Sequence, residues 1–165
     1  SFIAIASKHF IQMNNRHIFN PAGFGIVVSM LVFKAQTQWY GTYFWYLFIP
    51  VGLYFAYKIR KLELVFSYLI VSILLFGMQF IMNEIPVINI VWMLSYFFIF
   101  IMLIEPKTTP HSFAGKIVFG IGVVLISFLL TKIRLSLDVQ LAGLLVLNIF
   151  IVLINKIPKL KGVLS

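Results

Sequence analysis

The polar chemistry of this sequence is concentrated in two short proline-containing segments that interrupt apolar stretches. The later segment, 105–111, places a carboxylate, two threonine hydroxyls, a lysine and two prolines directly after a fully apolar stretch. Proline fixes the backbone and lacks an N–H, which leaves nearby carbonyls without helical hydrogen bonds. Hydroxyls and the N–H groups that open the next helix can bind a phosphate, a carbonyl or the edge of a flavin ring. We therefore predict a binding site formed by Glu105, Pro106, Thr108, Thr109 and Pro110, with an ordinary interfacial turn as the alternative.

The earlier segment, 14–21, ends in Asn20 and Pro21. Asparagine is a favoured N-cap, and proline is favoured at the first helical position, where its missing N–H costs nothing. Paired breaks in membrane helices often mark a ligand site, because half-helix ends offer N–H or C=O groups. We add Asn20 and Pro21 to the predicted site. The alternative is a capped re-entry into the membrane without a ligand.

Catalytic and metal chemistry are poorly represented. The four carboxylates lie at the ends of apolar stretches, so no buried acid or base indicates a proton or ion relay at the membrane centre. The sequence contains no Cys, which excludes disulfides, iron–sulfur clusters and thiolate metal sites. The three histidines have no metal-ligand spacing. We predict no catalytic residue and no metal site, and any redox work would use a bound organic cofactor.

The elements that position these segments are apolar helices. Of the 165 residues, 62% are hydrophobic and 10% are charged, against about 45–50% and about 25% in soluble domains. Stretches long enough to span a membrane are 39–57, 64–82, 85–104 and the shorter 117–131, while 21–33 has the length of a half-helix and 139–154 is similarly brief. We predict an all-α membrane protein, a bundle of about five to six transmembrane helices in a single domain over 1–165. Because the chain starts with Ser1, we expect upstream helices to be missing from it.

The basic residues predict an orientation. If each stretch crosses the bilayer, 10 of the 13 Lys and Arg residues fall on the side of the 58–61 loop, and only Lys34, Lys132 and Arg134 fall on the other. Lys and Arg are retained on the cytoplasmic side, so the N-terminal loop and the C-terminus are predicted to be cytoplasmic. The net charge of +9 then faces anionic headgroups, which favours the lipid bilayer over nucleic acid as a partner.

Three segments, in order, carry a resemblance to a known family. They are RHIFNPAGFGIVV (16–28), FIMLIEPKTTPHSFAGKIVFGIGVVLISFLL (100–130) and AGLLVLNIFIVLINKIPK (142–159). Together they resemble the membrane family formed by the D subunit of the Rnf electron-transport complex and the B subunit of the sodium-pumping NADH:quinone reductase. The shared features are FNPA, an acidic-Pro turn of the type [D/E]-P-x-T-x-P, and a last helix with a central Asn148 that stops at Asn155.

The resemblance implies a bundle that holds flavins and passes electrons across a membrane, coupled within a larger complex to ion movement. Larger members link FMN covalently to a Thr in an S-x-A-T-type segment, and no such motif occurs here. The resemblance therefore implies FMN or riboflavin held noncovalently, or a quinone, in a compact or partial member. The implied partners are other subunits or a fused domain of an electron-transport complex, in a bacterial or archaeal cytoplasmic membrane.

Two other functions stay open from the residues alone. Paired broken helices serve a small-solute or vitamin transporter equally well. The third hypothesis is a structural membrane subunit without a ligand.

Overall fold

The computed structural model describes residue 5 and the ranges 12–13, 16–17, 19–34, 36–37, 43–133 and 137–157. Over these residues the fold is helical, apart from a minimal antiparallel pair of two-residue strands. The strands are β1 (Gln12–Met13) and β2 (Arg16–His17). The helices are α1 (Pro21–Phe33), α2 (Trp45–Lys58), α3 (Leu62–Met82), α4 (Asn89–Met93), a π-helical segment (Phe98–Met102), α5 (Phe113–Lys132), α6 (Val139–Ile149) and α7 (Ile151–Ile154).

Side-chain caps determine where three of these helices begin. The Asn20 Oδ1 atom accepts from the Gly23 amide at 3.0 Å, and Pro21 opens α1, as the sequence predicts. The Ser112 hydroxyl accepts from the Gly115 amide at 3.0 Å, so α5 starts four residues before the predicted stretch at 117. A carboxylate oxygen of Asp138 accepts from two amides at 3.1 Å at the start of α6. Each cap satisfies an N–H group that the first turn leaves unbonded.

Helices α3 and α5 lie side by side and run in the same direction. Near their start, a Cβ added at Gly120 would lie 2.8 Å from the Leu64 carbonyl oxygen. Further along, the rings of Phe76 and Phe128 meet with centroids 5.5 Å apart. The missing side chain at Gly120 is what allows this close approach of the two backbones.

Helix α6 returns antiparallel along α5. A Cβ at Gly143 would approach the Val123 carbonyl at 3.0 Å, and a Cβ at Gly115 would lie 3.5 Å from the side chain of Ile154. Antiparallel packing of helices that are consecutive in the chain is typical of helix bundles.

Helices α3 and α5 are, among the described residues, the two that are long and apolar enough to cross a membrane, each with a mean hydropathy of 2.3. Only 33% and 39% of their most apolar windows are buried within the chain. Most of their apolar surface therefore requires a cover from lipid or from another protein.

The structure divides two of the predicted stretches. A single helix over 85–104 is wrong: α4 ends at Met93, Leu94 is extended (φ −71°, ψ 116°), and the Ser95 hydroxyl accepts from the Phe98 amide at the start of the next helical segment. The predicted stretch 139–154 is also two helices: α6 ends at Ile149, and the single turn α7 follows it. The stretches 21–33 and 64–82 are confirmed as helical by α1 and α3. In the stretch 39–57, α2 covers the part from Trp45 onward, and residues 38–42 lie outside the described residues. Four of the basic residues used to predict the orientation also lie outside them: Lys8, Arg134, Lys159 and Lys161.

Candidate ligand-binding site

Asn20 links the start of α1 to the backbone just before the second polar break. Its Nδ2 atom donates to the carbonyl oxygen of Met102 at 3.4 Å, across 82 residues of sequence, while its Oδ1 atom caps α1. Asn20 is 5% exposed. The contact places Asn20 and Pro21 beside the chain three residues before Glu105. The structure thus links the end of the first segment to the backbone that leads into the second.

The turn after Glu105 is closed by its two threonines. The Thr108 hydroxyl donates to the Glu105 carboxylate at 3.1 Å, and the Thr109 hydroxyl donates to the Glu105 carbonyl oxygen at 2.8 Å. Both threonines are buried, at 1% exposure each, and Pro110 is buried next to them, whereas Pro106 is exposed. The hydroxyl hydrogens are used inside the turn, so the threonines hold its shape and have only oxygen lone pairs left for a further bond. Burial raises the pKa of the Glu105 carboxyl above its ordinary value.

Lys61 belongs to this site, although the sequence suggests only a loop charge. Its Nζ atom donates to the Pro110 carbonyl oxygen at 2.7 Å, and the residue is 5% exposed. Desolvation and the neighbouring Lys116 lower the pKa of Lys61 to about 8, against a smaller opposing effect of Glu63. A buried ammonium that lies close to a second lysine favours a nearby anion, which would offset both positive charges. A lysine directly before a long apolar helix was the available sequence signal, but its burial depends on the fold.

Lys116 connects α5 to the loop between α2 and α3. Its Nζ atom contacts the Glu63 carboxylate at 3.1 Å and donates to the Arg60 carbonyl oxygen. Lys116 is buried, while Glu63 is partly exposed. The N-terminal ends of α3 and α5 therefore share a charged cluster with the 105–110 turn.

The residue after the turn, His111, is bonded to Asn155, which follows α7. The His111 amide donates to the Asn155 side-chain oxygen at 3.3 Å. Asn148, one helix earlier, is fully buried, and neither of its amide atoms has a partner among the described residues. Asn148, near the C-terminal end of α6, is thus a polar group deep in an apolar interface.

The donors of this cluster fit an anionic or carbonyl-rich ligand. Lys61 has three N–H donors and uses one of them for Pro110. The threonine hydroxyl hydrogens are used inside the turn, so Lys61 is the side chain of this cluster with N–H donors left for a further bond. Among the residues that the structure describes, no group of three or more His, Cys, Asp and Glu side chains could hold a metal ion.

Fold and site together define an all-helical protein with apolar helices of membrane-spanning length and a buried polar cluster where two of them begin. No protein-family model matches this chain, and comparison with curated proteins and with solved structures gives no match either.

Proposed function

We propose that this protein is an integral membrane subunit or domain that holds FMN or riboflavin noncovalently and serves electron transfer, coupled to ion transport, within a larger complex. The proposal includes a bundle of about five to six spanning helices, of which α3 and α5 have the full length needed. The observation that carries it is the contact between Asn20 and Met102, which holds the start of α1 against the chain three residues before the 105–110 turn.

The residues of the cluster have separate tasks in this proposal. Lys61 binds the phosphate of FMN, because its buried ammonium has donors to spare and lies at the start of α3. Thr108 and Thr109 hold the turn, and Glu105 fixes both of them. The flavin supplies the redox chemistry, while the protein binds and orients it.

Orientation agrees with an electron entry point on one face. Lys61, Lys116 and Pro110 lie at the common N-terminal end of the parallel helices α3 and α5. By the distribution of Lys and Arg this end is cytoplasmic. A soluble electron donor would reach a flavin there without crossing the bilayer.

The first experiment examines the purified full chain in detergent. We expect flavin absorbance in the visible range, or saturable quenching of the fluorescence of added FMN. Lys61→Met should weaken FMN binding by about tenfold, since a charged hydrogen bond to phosphate is lost, and should leave riboflavin, which lacks the phosphate, unaffected. The control is Lys107→Met, which removes a charge from an exposed lysine in the same region. A colourless protein that binds neither flavin contradicts the proposal.

A second variant pair tests the position of the site. Asn20→Ser keeps a capping oxygen but is too short to reach the Met102 carbonyl, so it separates the two breaks while preserving α1. We expect flavin retention to fall in Asn20→Ser and in the double variant Thr108→Ala, Thr109→Ala. Unchanged retention in both would place the flavin elsewhere.

The Asn20–Met102 contact also suits a small-solute or vitamin transporter, because it pairs a half-helix with a broken one. Vesicles that contain the purified protein distinguish the two functions. Exchange of labelled riboflavin across the membrane, without retention of flavin on the protein, would favour the transporter.

A further inference from the structure

A pocket lies at the other ends of α3 and α5, away from the polar breaks. Its volume is about 430 Å³. Leu75, Met78, Met82 and Phe128 form apolar walls. Gln79, Asn83 and Lys132 add polar groups. Since α3 ends at Met82 and α5 ends at Lys132, the pocket opens where both apolar helices stop.

The polar groups of the pocket include an acceptor without a partner, the Gln79 amide oxygen, and a positive charge, the Lys132 ammonium. The Gln79 Oε1 atom is buried and has no hydrogen-bond partner among the described residues. The Lys132 side chain is exposed, and its Nζ atom lies 5.0 Å from the centroid of the Phe128 ring. Asn83 is held at the rim, where its Nδ2 atom donates to the Gln79 carbonyl oxygen at 2.6 Å.

These groups specify a ligand chemistry. A buried amide oxygen without a partner is costly, and a ligand that donates a hydrogen bond removes that cost. An ammonium at the rim attracts an anion. The apolar walls, at the C-terminal ends of α3 and α5, can pack against the hydrocarbon part of a ligand. The occupant therefore combines an anionic group, a hydroxyl donor and an acyl chain.

We propose that this pocket binds the headgroup region of an anionic phospholipid with a hydroxyl-bearing headgroup, of the phosphatidylglycerol type. Its phosphate pairs with Lys132, and its acyl chains run along Met78 and Leu75. The Gln79 amide turns toward the pocket, so that its Oε1 atom accepts a hydrogen bond from the glycerol hydroxyl. The proposal also accounts for Lys132, one of the three basic residues that the positive-inside pattern leaves on the wrong side. It is independent of whether a flavin is bound at the opposite end.

The test is native mass spectrometry of the purified full chain in detergent, titrated separately with phosphatidylglycerol and with phosphatidylcholine of the same acyl chains. We expect at least one phosphatidylglycerol to bind in preference to phosphatidylcholine, whose headgroup has no hydrogen-bond donor. Lys132→Gln should weaken this binding by about fivefold to tenfold, and Gln79→Leu should reduce the preference between the two lipids. Lys132 is exposed and Gln79 is partly exposed, and neither belongs to the buried core, so these changes remove little packing.

The matched control is Lys58→Gln, because Lys58 also lies over an aromatic ring, that of Tyr54 at 5.6 Å, and ends α2 at the opposite face. Lys58→Gln should leave the preferred phosphatidylglycerol bound. Equal binding of both lipids, or equal losses in Lys132→Gln and Lys58→Gln, overturns the proposal. Displacement of the lipid by millimolar glycerol phosphate would instead identify a soluble phosphate ester as the ligand, and would also overturn it.

Discussion

The Nζ atom of Lys61 donates a hydrogen bond of 2.7 Å to the carbonyl oxygen of Pro110, which lies 49 residues later in the chain. Proline cannot continue helical bonding through its own nitrogen, and its position at the end of the turn leaves the carbonyl available. The bond links the start of α3 to the turn that precedes α5. It places a second buried ammonium beside the Lys116–Glu63 ion pair.

The buried charge predicts a pH dependence of stability. The pKa of Lys61 is about 8 in the folded protein, against the ordinary lysine value of 10.5. Between these values the unfolded chain binds a proton that the folded protein has released, so the free energy of unfolding rises with pH in this window. Below pH 8 both states are protonated, and the penalty of burying the ammonium is fully present. Unfolding in detergent, followed from pH 7 to 10.5, should show the rise for the natural chain and a flatter profile for Lys61→Met. An equal rise in Lys61→Met and Lys107→Met would show that other groups cause it.

The Glu105 carboxyl predicts a dependence of the opposite sign. Burial raises its folded pKa, so the folded state is favoured at low pH and loses this contribution as pH rises through the folded pKa. Glu105→Gln keeps an oxygen that accepts from the Thr108 hydroxyl and removes the charge, and we expect it to raise the melting temperature at pH 7. Glu105→Ala leaves the buried Thr108 hydroxyl unbonded and should cost about 1–3 kcal/mol. The same melting temperature for the two variants at pH 7 contradicts this role of the carboxyl.

Close packing of α3 on α5 predicts a glycine that cannot be replaced. In Gly120→Ala the new Cβ would lie 2.8 Å from the Leu64 carbonyl oxygen and still closer to the Ser67 hydroxyl, so the two helices must separate. Overpacking of this kind costs about 1–3 kcal/mol. Gly23→Ala is the control, because its nearest neighbour outside α1 would be a Leu141 methyl at 3.5 Å, an ordinary contact. Thermal unfolding of both variants in detergent tests the prediction, and a Gly120→Ala protein as stable as Gly23→Ala would contradict it.

The buried amide of Asn148 predicts a stabilising substitution. Neither polar atom has a partner among the described residues, and the side chain is fully buried. Asn148→Leu keeps the number and branching of the side-chain heavy atoms and removes the cost of two unpaired polar atoms, so we expect it to raise stability by about 1–3 kcal/mol. A loss of stability would indicate that a bound water or ligand satisfies the amide, since replacing the side chain would then remove real hydrogen bonds.

Local chemistry explains what could be predicted along the chain. The cap at Asn20, the proline that follows it and the apolar lengths of α1 and α3 are properties of consecutive residues, and the structure confirms all of them. The sequence does not reveal the break near Ser95, because a serine within apolar residues can equally lie inside a continuous helix or cap a new one. The choice depends on Phe98 and Phe100, which pack against Tyr68 and Gly52 in other helices.

The sequence by itself determined an apolar, helical chain without thiol chemistry, whose polar residues gather at two proline-containing breaks. Composition, periodicity and caps depend on residues close in the chain, so they can be read directly. Only the tertiary structure decided that Asn20 reaches Met102, that Lys61 is buried against Pro110, and that Gln79 and Lys132 share a pocket. Burial and pairing arise from helices that meet across tens of residues, and local patterns of residues do not by themselves reveal which faces will meet.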